Sequence, residues 1–316
     1  MIDYLKLYKK FYYLRFVEET ISKKYKDGKM RCPTHLSVGQ EGISAIFSQL
    51  VKKSDYAVST HRPHTHYLAK GGNLNSMICE LYGKENGCSK GKGGSMHLID
   101  ERVGFMGSTS ILGNNIPIGV GLALSSKIKN KKNITFVFLG DASVEQGSFY
   151  ESLNFSAVKK LRIIFICENN EFSVYSDLSS RQPKDRKIYK LAKSIGVESG
   201  YSNGLNIKDI EIKMKNAINF VNQFNKPYFL EIKTSRWLEH CGPNDDIKLG
   251  YRSKTSLEKW KKYDLLKTIK KKLKKKSKNL EQIEKKIEQN ILKSFEFAEK
   301  SKFPKYESLF KGIYEL

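Results

Sequence analysis

Residues 134–172, ITFVFLGDASVEQGSFYESLNFSAVKKLRIIFICENNEF, constrain the fold more than any other stretch of the chain. An unbroken apolar run, Ile134 to Leu139, ends at Gly140-Asp141. A run that short, closed by a turn, predicts a strand buried on both faces of a parallel sheet. A helical stretch follows, in which Phe149, Leu153, Phe155, Ala157 and Leu161 are set among polar residues. A second apolar run, Ile163 to Cys167, leads into Glu168-Asn169-Asn170. The whole is a β–α–β unit, and Asp141 and Asn170 each fall just beyond the carboxyl end of a strand, where open α/β sheets bind ligands.

Aspartate and asparagine are hard oxygen donors, suited to Mg2+ or Ca2+ rather than to a thiophilic metal. Gly140 is expected to let the backbone turn sharply, and the small Ala142 and Ser143 to let amides approach a bound phosphate. One carboxylate and one amide leave a divalent ion half-coordinated. Water, a backbone carbonyl and phosphate oxygens of a ligand would complete the shell. Taken singly, an aspartate helix cap and an asparagine turn are the ordinary readings. Their pairing at the two strand ends of one unit points to a metal.

GDASVEQG, with Asn170 following Asp141 by 29 positions, resembles the thiamine-diphosphate signature, GDG with a distal NN, of the alpha subunit of the 2-oxo acid dehydrogenase first component. The resemblance implies an α/β thiamine-diphosphate-binding fold, a mostly parallel sheet flanked by helices. It also implies that Asp141, Asn170 and the Phe172 carbonyl hold Mg2+ against the diphosphate. Ala142 stands where the family usually has glycine, a one-methyl change tolerated unless the backbone needs positive φ.

Further motifs carry the resemblance along nearly the whole chain. HLSVGQE, residues 35–41, is similar to a family loop whose histidine, here His35, lies near the reacting end of the cofactor. HRPHTH, residues 61–66, follows a predicted strand over 55–60 and lies within STHRPHTHYLAKGG. Its three histidines suggest zinc, but Pro63 and the adjacent guanidinium argue against it, since a cation beside a metal is costly. An anion site suits an arginine fork better. By resemblance to the acetoin-type branch Arg62 grips the diphosphate, while His61 occupies a position often held by tyrosine. GKENGCSKGKGGSMH lacks both dinucleotide-binding spacing and a Walker loop; it resembles a family segment near the site mouth, with His97 behind the ligand-contacting residues. After Gly107–Gly113, a helix is expected over 116–129, with small Gly119, Gly121 and Ala123 on one face. By resemblance the carbonyls of Ser110 and Leu112 face the aminopyrimidine ring. Residues 171–187 are polar and without pattern, a loop over the cofactor. SRWLEHCGP resembles the loop that carries a histidine beside diphosphate and substrate. That makes His240 the candidate proton handler, because imidazole is readily poised near neutral pH. Cys241 replaces the regulatory serine of pyruvate-type relatives of higher cells, which excludes phosphorylation there, and the departure GPNDD is where specificity is expected to differ.

The 316 residues suffice for one large α/β domain with a helical appendage. The expected division is a diphosphate- and metal-binding domain over 1–255 and a charged helical extension over 256–316, with helices at 256–276 and 280–300. The net charge of +24 would suit nucleic acid, an acidic membrane or an acidic partner. The lysines are spread out, however, and the densest run, Lys267–Lys278, has no interleaved aromatics or nucleic-acid motif. A solvated basic surface is expected, or one facing an acidic partner or a lipoyl-bearing domain, with no nucleic-acid role. Nothing approaches the ~18 apolar residues of a membrane helix, and the start lacks a secretory signal. Scattered cysteines without a CxxC pair fit a reduced, cytoplasmic protein.

Thiamine chemistry needs a carboxylate against the pyrimidine, and in the family resembled that glutamate belongs to a separate beta subunit. The chain is about half the length expected for both parts. The resemblance therefore implies an assembly of two alpha and two beta chains, which decarboxylates a 2-oxo acid or cleaves acetoin and passes the acyl unit to lipoamide on an acyltransferase. The alternatives are a thiamine enzyme with a non-lipoyl acceptor in sugar or cell-surface biosynthesis, and a non-catalytic binding module of the same fold.

Overall fold

The structure, a computed structural model, describes residues 2–274 and 279–312. The chain opens with helices α1 (Tyr4–Tyr25) and α2 (Glu41–Leu50), strand β1 (Tyr56–Ser59), helices α3 (His64–Lys70) and α4 (Leu74–Leu81), and strand β2 (Phe105–Ser108). Helix α5 (Asn115–Ile128), strand β3 (Thr135–Gly140), helix α6 (Gly147–Val158) and strand β4 (Ile163–Asn169) form the central unit. A short hairpin, β5 (Phe172–Ser173) and β6 (Ser176–Asp177), precedes helices α7 (Leu178–Arg181) and α8 (Ile188–Ser194). Strand β7 (Glu198–Ser202), helix α9 (Ile207–Phe224) and strand β8 (Tyr228–Lys233) complete the α/β part, and α10 (Lys254–Lys262), α11 (Leu265–Lys274) and α12 (Leu280–Lys300) follow.

The two apolar runs need cover on both faces, and the sheet provides it. Its order is β2-β1-β3-β4-β8-β7, with every neighbouring pair parallel. Along β3 and β4 side chains alternate between two cores. Phe136, Phe138, Ile164 and Ile166 join the layer of α1, α2 and α9, and Val137, Leu139, Ile163 and Phe165 join that of α5, α6 and α8. Phe47 of α2 meets Phe136 and Phe138 edge-on, with ring centroids 5.1 and 5.0 Å apart. On the other face α5 lies close against β3. A Cβ on Gly119 would come within 2.3 Å of Val137, whereas Gly121 faces open space, so only part of the small-residue face serves packing.

The C-terminal helices share the first core: Leu266, Ile269, Ile291 and Phe295 cluster with Leu7, Phe11 and Leu14 of α1. The single helix expected over 256–276 is in fact α10 and α11, broken at Tyr263-Asp264. Asp264 accepts the Leu266 N–H at 3.0 Å as an N-terminal cap. Its other oxygen pairs with buried Arg15 at 3.4 Å, which a continuous helix would not place there. The lysine run beyond Lys274 lies outside the described residues. Among the described residues no helix is long and apolar enough to cross a membrane.

Candidate active site

From β1 the chain moves outward to β2 and then returns to β3 on the other side of β1. Such a reversal opens a crevice at the carboxyl ends of the strands. The register Leu139↔Cys167 and Gly140↔Glu168 makes Asp141 and Asn169-Asn170 emerge side by side. The cleft brings together His61 and Arg62 after β1, Gly140 at the end of β3 with Asp141 and Ala142 beyond it, Asn170 and Phe172 after β4, and Leu112 and His240 from more distant loops. Gln40, Thr60, Glu168 and Ser173 also line it, though none stood out in the sequence. Ser110 is half-buried and outside the walls, and Ser143 is buried beneath them with its hydroxyl unpartnered.

Asp141 opens a 3-10 turn and is 2% exposed. Burial pushes its carboxyl up to about 6, against the pull of Arg181 and of the Asn170 backbone N–H. Arg181 donates to Asp141 Oδ2 at 2.5 Å and to Glu145 at 2.5 Å, which ties the polar segment 171–187 to the turn after β3. About 50 Å³ is left free, room for a few waters at most.

The backbone around Asp141 is open and unstrained. Gly140 is extended, at φ −89° and ψ 165°, and a Cβ there would meet nothing within 4 Å. Its glycine therefore serves an open floor, not the sharp turn expected. Ala142 is not among the positive-φ residues, so it replaces glycine without strain. Asn170 Oδ1 accepts the Phe172 N–H at 3.0 Å across Glu171, itself at φ 68°. That Asx turn carries the chain directly into Phe172. Asn170 Nδ2 donates to Gln40 at 3.2 Å. A buried carboxylate, an amide oxygen and a loop carbonyl form a hard-oxygen set, and it fits a divalent cation such as Mg2+.

Opposite them stand three imidazoles. His35 lies 4.6 Å from His61 and 4.9 Å from His240 between ring centroids, edge to face. Burial and the nearby Arg62 lower His35 to about 3 and His240 to about 4, and hold His61 well below its usual value. All three are neutral at pH 7, so His240 in this state is not poised near neutrality as expected from its residue type. His35 Nδ1 is buried without a partner, a donor or acceptor left for a ligand. Arg62 donates to Leu36 O at 2.5 Å and His240 O at 3.2 Å. Burial and Arg236 pull it down to about 10, so it keeps its charge at pH 7.

The neighbouring histidines are scaffolding. His64 bridges Glu18 at 2.9 Å and Ser95 at 2.8 Å, while Glu18 also accepts the Ser37 N–H at 2.6 Å and so fixes the His35 loop. His66 stacks on Phe138 at 3.8 Å and joins Ser59 at 2.8 Å to Glu168 at 3.1 Å. The three histidines of residues 61–66 thus serve three different places. In the loop after β8, Asp246 accepts from Arg236, Arg252 and Tyr251. Burial opposes its ionisation, but Tyr251 and Arg252 outweigh that and hold it below the usual carboxylate range. The second aspartate of GPNDD is therefore a loop anchor. The glycine-rich segment is hung on Glu80, which is fully buried and accepts N–H groups from Ser89 at 2.8 Å, Gly91 at 2.9 Å, Gly93 at 2.7 Å and Gly94 at 3.1 Å. His97 is exposed, and its carbonyl, accepting from Ser89, is the part used.

A parallel α/β sheet whose switch point gathers hard oxygens, a guanidinium and neutral imidazoles defines the class of open-sheet α/β proteins that bind ligands beyond the carboxyl ends of their strands. Within that class the chain belongs to the dehydrogenase E1 component family, whose model matches residues 9–307. It is 35% identical to the pyruvate dehydrogenase E1 component subunit alpha of Rickettsia bellii, over 99% of this chain and 96% of that one. The alpha-3 chloroplastic subunit of Arabidopsis thaliana is 32% identical, over 98% of this chain and 74% of its own. Among solved structures, a transketolase from Campylobacter jejuni superposes with a TM-score of 0.61 at 17% identity, over 90% of this chain. This chain spans half the length of that transketolase, and at that identity the likeness concerns the fold.

Proposed function

We propose that the chain supplies the diphosphate- and metal-binding part of a thiamine-diphosphate-dependent pyruvate-type dehydrogenase first component, completed by a beta subunit. The family is one of oxidoreductases acting on 2-oxo acids, and this chain is of its alpha type. The reading rests above all on the convergence of Asp141, Asn170 and Phe172 with Arg62 and His240 on one cleft. The relatives' names favour a 2-oxo acid over the sugar or cell-surface alternatives.

Thiamine diphosphate, when bound, supplies the nucleophilic carbon and the electron sink of the reaction. The chain's own groups position it. Asp141, Asn170 and the Phe172 carbonyl would hold Mg2+, and Arg62 would grip the diphosphate through an attraction that the low local dielectric strengthens. Gly140 leaves the floor open. His35, His61 and His240 enter as neutral donors and acceptors, and an incoming anion favours protonation of whichever it touches. The carboxylate that faces the pyrimidine would come from the beta chain in a two-alpha two-beta cytoplasmic assembly, with a lipoyl-bearing acyltransferase as acceptor.

The purified chain alone is expected to show no 2-oxo acid decarboxylation above background, and to gain it on adding the beta subunit. Robust turnover by the rigorously isolated chain would refute the shared site.

Arg181 adds a condition on loading. Its guanidinium holds the carboxylate that the metal needs, so binding must break that pair. Arg181→Gln should therefore tighten Mg2+-dependent cofactor binding about tenfold by calorimetry, the worth of roughly one partly buried ion pair. Unchanged or weaker binding would mean the pair is no competitor.

A further inference from the structure

At the opposite end of the sheet, where β3 and β4 begin, lies a pocket of about 450 Å³ that the cofactor cleft does not use. Lys127, Lys131, Lys132, Lys160 and Arg162 line it, and among the described residues no acidic side chain does. None of the five forms an ion pair among the described residues. Asp55, the acid that acts on Arg162, is engaged with the N–H groups of Ile134 and Lys52, both at 2.8 Å.

Lysines often gather where helices end, because the carbonyl end of a helix is negative. Helices α5, α6 and α9 all finish here, through Asn130, Lys160 and Asn225 in left-handed conformation. Each helix end carries about half a charge, so three offset fewer than two of the five cations. A net positive pocket remains.

Two further observations turn a basic surface into a site. Asn133, 8% exposed, has neither its amide N–H groups nor its carbonyl paired, and Ser126, 4% exposed, has an unpaired hydroxyl; both line the pocket. Phe224, 49% exposed, lines it too. Arg162 is held rigidly, donating to Asn222 and Asn225 at 2.6 Å and to Lys132 O at 3.1 Å. Cations for phosphate and an exposed ring, with unpaired amide and hydroxyl groups buried in the wall behind them, describe a ligand with a phosphate and an aromatic face.

We propose that this pocket binds a nucleoside phosphate, at a site separate from the cofactor cleft. Phosphate groups lie among the lysines and Arg162, and the base stacks on Phe224 against the wall that contains Asn133 and Ser126.

The test is calorimetric titration of the chain, in excess Mg2+ and thiamine diphosphate, with ADP and separately with inorganic phosphate. One equivalent of ADP should bind at least tenfold tighter than phosphate. Phe224→Ala should weaken ADP about tenfold and leave phosphate unchanged, and Lys132→Glu with Lys160→Glu should weaken both. These side chains are at the surface, and matching melting temperatures of the ligand-free variants check the fold. Equal, salt-screened affinities for ADP and phosphate that ignore Phe224→Ala would reduce the pocket to a charged surface. Loss of ADP binding as thiamine diphosphate is raised would put it in the cofactor cleft. Either result overturns the proposal.

Discussion

Asp141→Asn is expected to leave the chain folded while weakening Mg2+-dependent binding of thiamine diphosphate at least ~100-fold, beyond what loss of a metal's supporting partner costs. The carboxylate is buried, and its pair with Arg181 offsets only part of the cost of burying its charge. Its carboxyl stands at about 6 instead of 3.8. An amide keeps the shape, still accepts from Arg181, and carries no charge that burial penalises. The folded state holds the Asp141 proton more tightly than the unfolded chain, so this group's contribution to stability is full below pH 3.8 and falls away as pH rises through about 6. The variant lacks that loss and should compare better with its parent at pH 7 than at pH 4.5 in urea titrations. The proton also competes with the metal. In the parent, metal affinity should drop as pH falls below about 6, and the residual affinity of the variant should not follow. Normal cofactor binding by Asp141→Asn in calorimetry would remove the metal assignment.

That carboxylate was legible in the sequence because its strand buries both faces. Continuous apolar runs such as Ile134–Leu139 have few readings, and their ends mark the rim of a sheet. Strand β2 was not legible. It is four residues on an edge, with one register shift against β1, too short to show a period. Helices α3 and α4 were hidden by the histidines and small polar residues of their segment. The break at Tyr263-Asp264 depends on Arg15, far away in the chain, needing an acid. The site divides in the same way. Residues that follow strand ends or sit in recognisable motifs were placed by sequence, and the cleft gathers most of them. Arg181 escaped notice because a polar loop has no pattern that says which of its residues turns inward. Local sequence likewise did not distinguish Asp246, engaged with Arg236 and Arg252, from an exposed specificity determinant.

Glu80→Ala is expected to cost about 3–5 kcal/mol, the range for breaking a buried hydrogen-bond network. One carboxylate satisfies four backbone N–H groups, and among the described residues no other acceptor is bonded to them. The segment's other ties, such as Cys88 N–H to Ser76 O and Ser89 Oγ to His97 O, do not engage these four N–H groups. Gly83, Gly91 and Gly94 sit at positive φ, so the chain pays a large ordering entropy there. Gly87 packs so tightly that a Cβ would lie 2.1 Å from Glu80 Oε2. The damage should spread along two contacts. Lys84 stacks on Phe303 at 3.6 Å and Glu85 N–H donates to Lys302 O at 3.0 Å, so the end of α12 should loosen. Ser95 links through His64 to Glu18 and the His35 loop, so cofactor affinity should fall several-fold even though Glu80 lies outside the cleft. Glu80→Gln separates charge from shape: it keeps one acceptor oxygen but turns an NH2 toward two donors, and should cost roughly half as much. Urea titration gives the stability, and amide hydrogen exchange at Ser89, Gly91, Gly93 and Gly94 shows whether the loop is released. A cost below about 1 kcal/mol with those amides still protected would mean that the glycine-rich segment is held by its packing and not by this carboxylate.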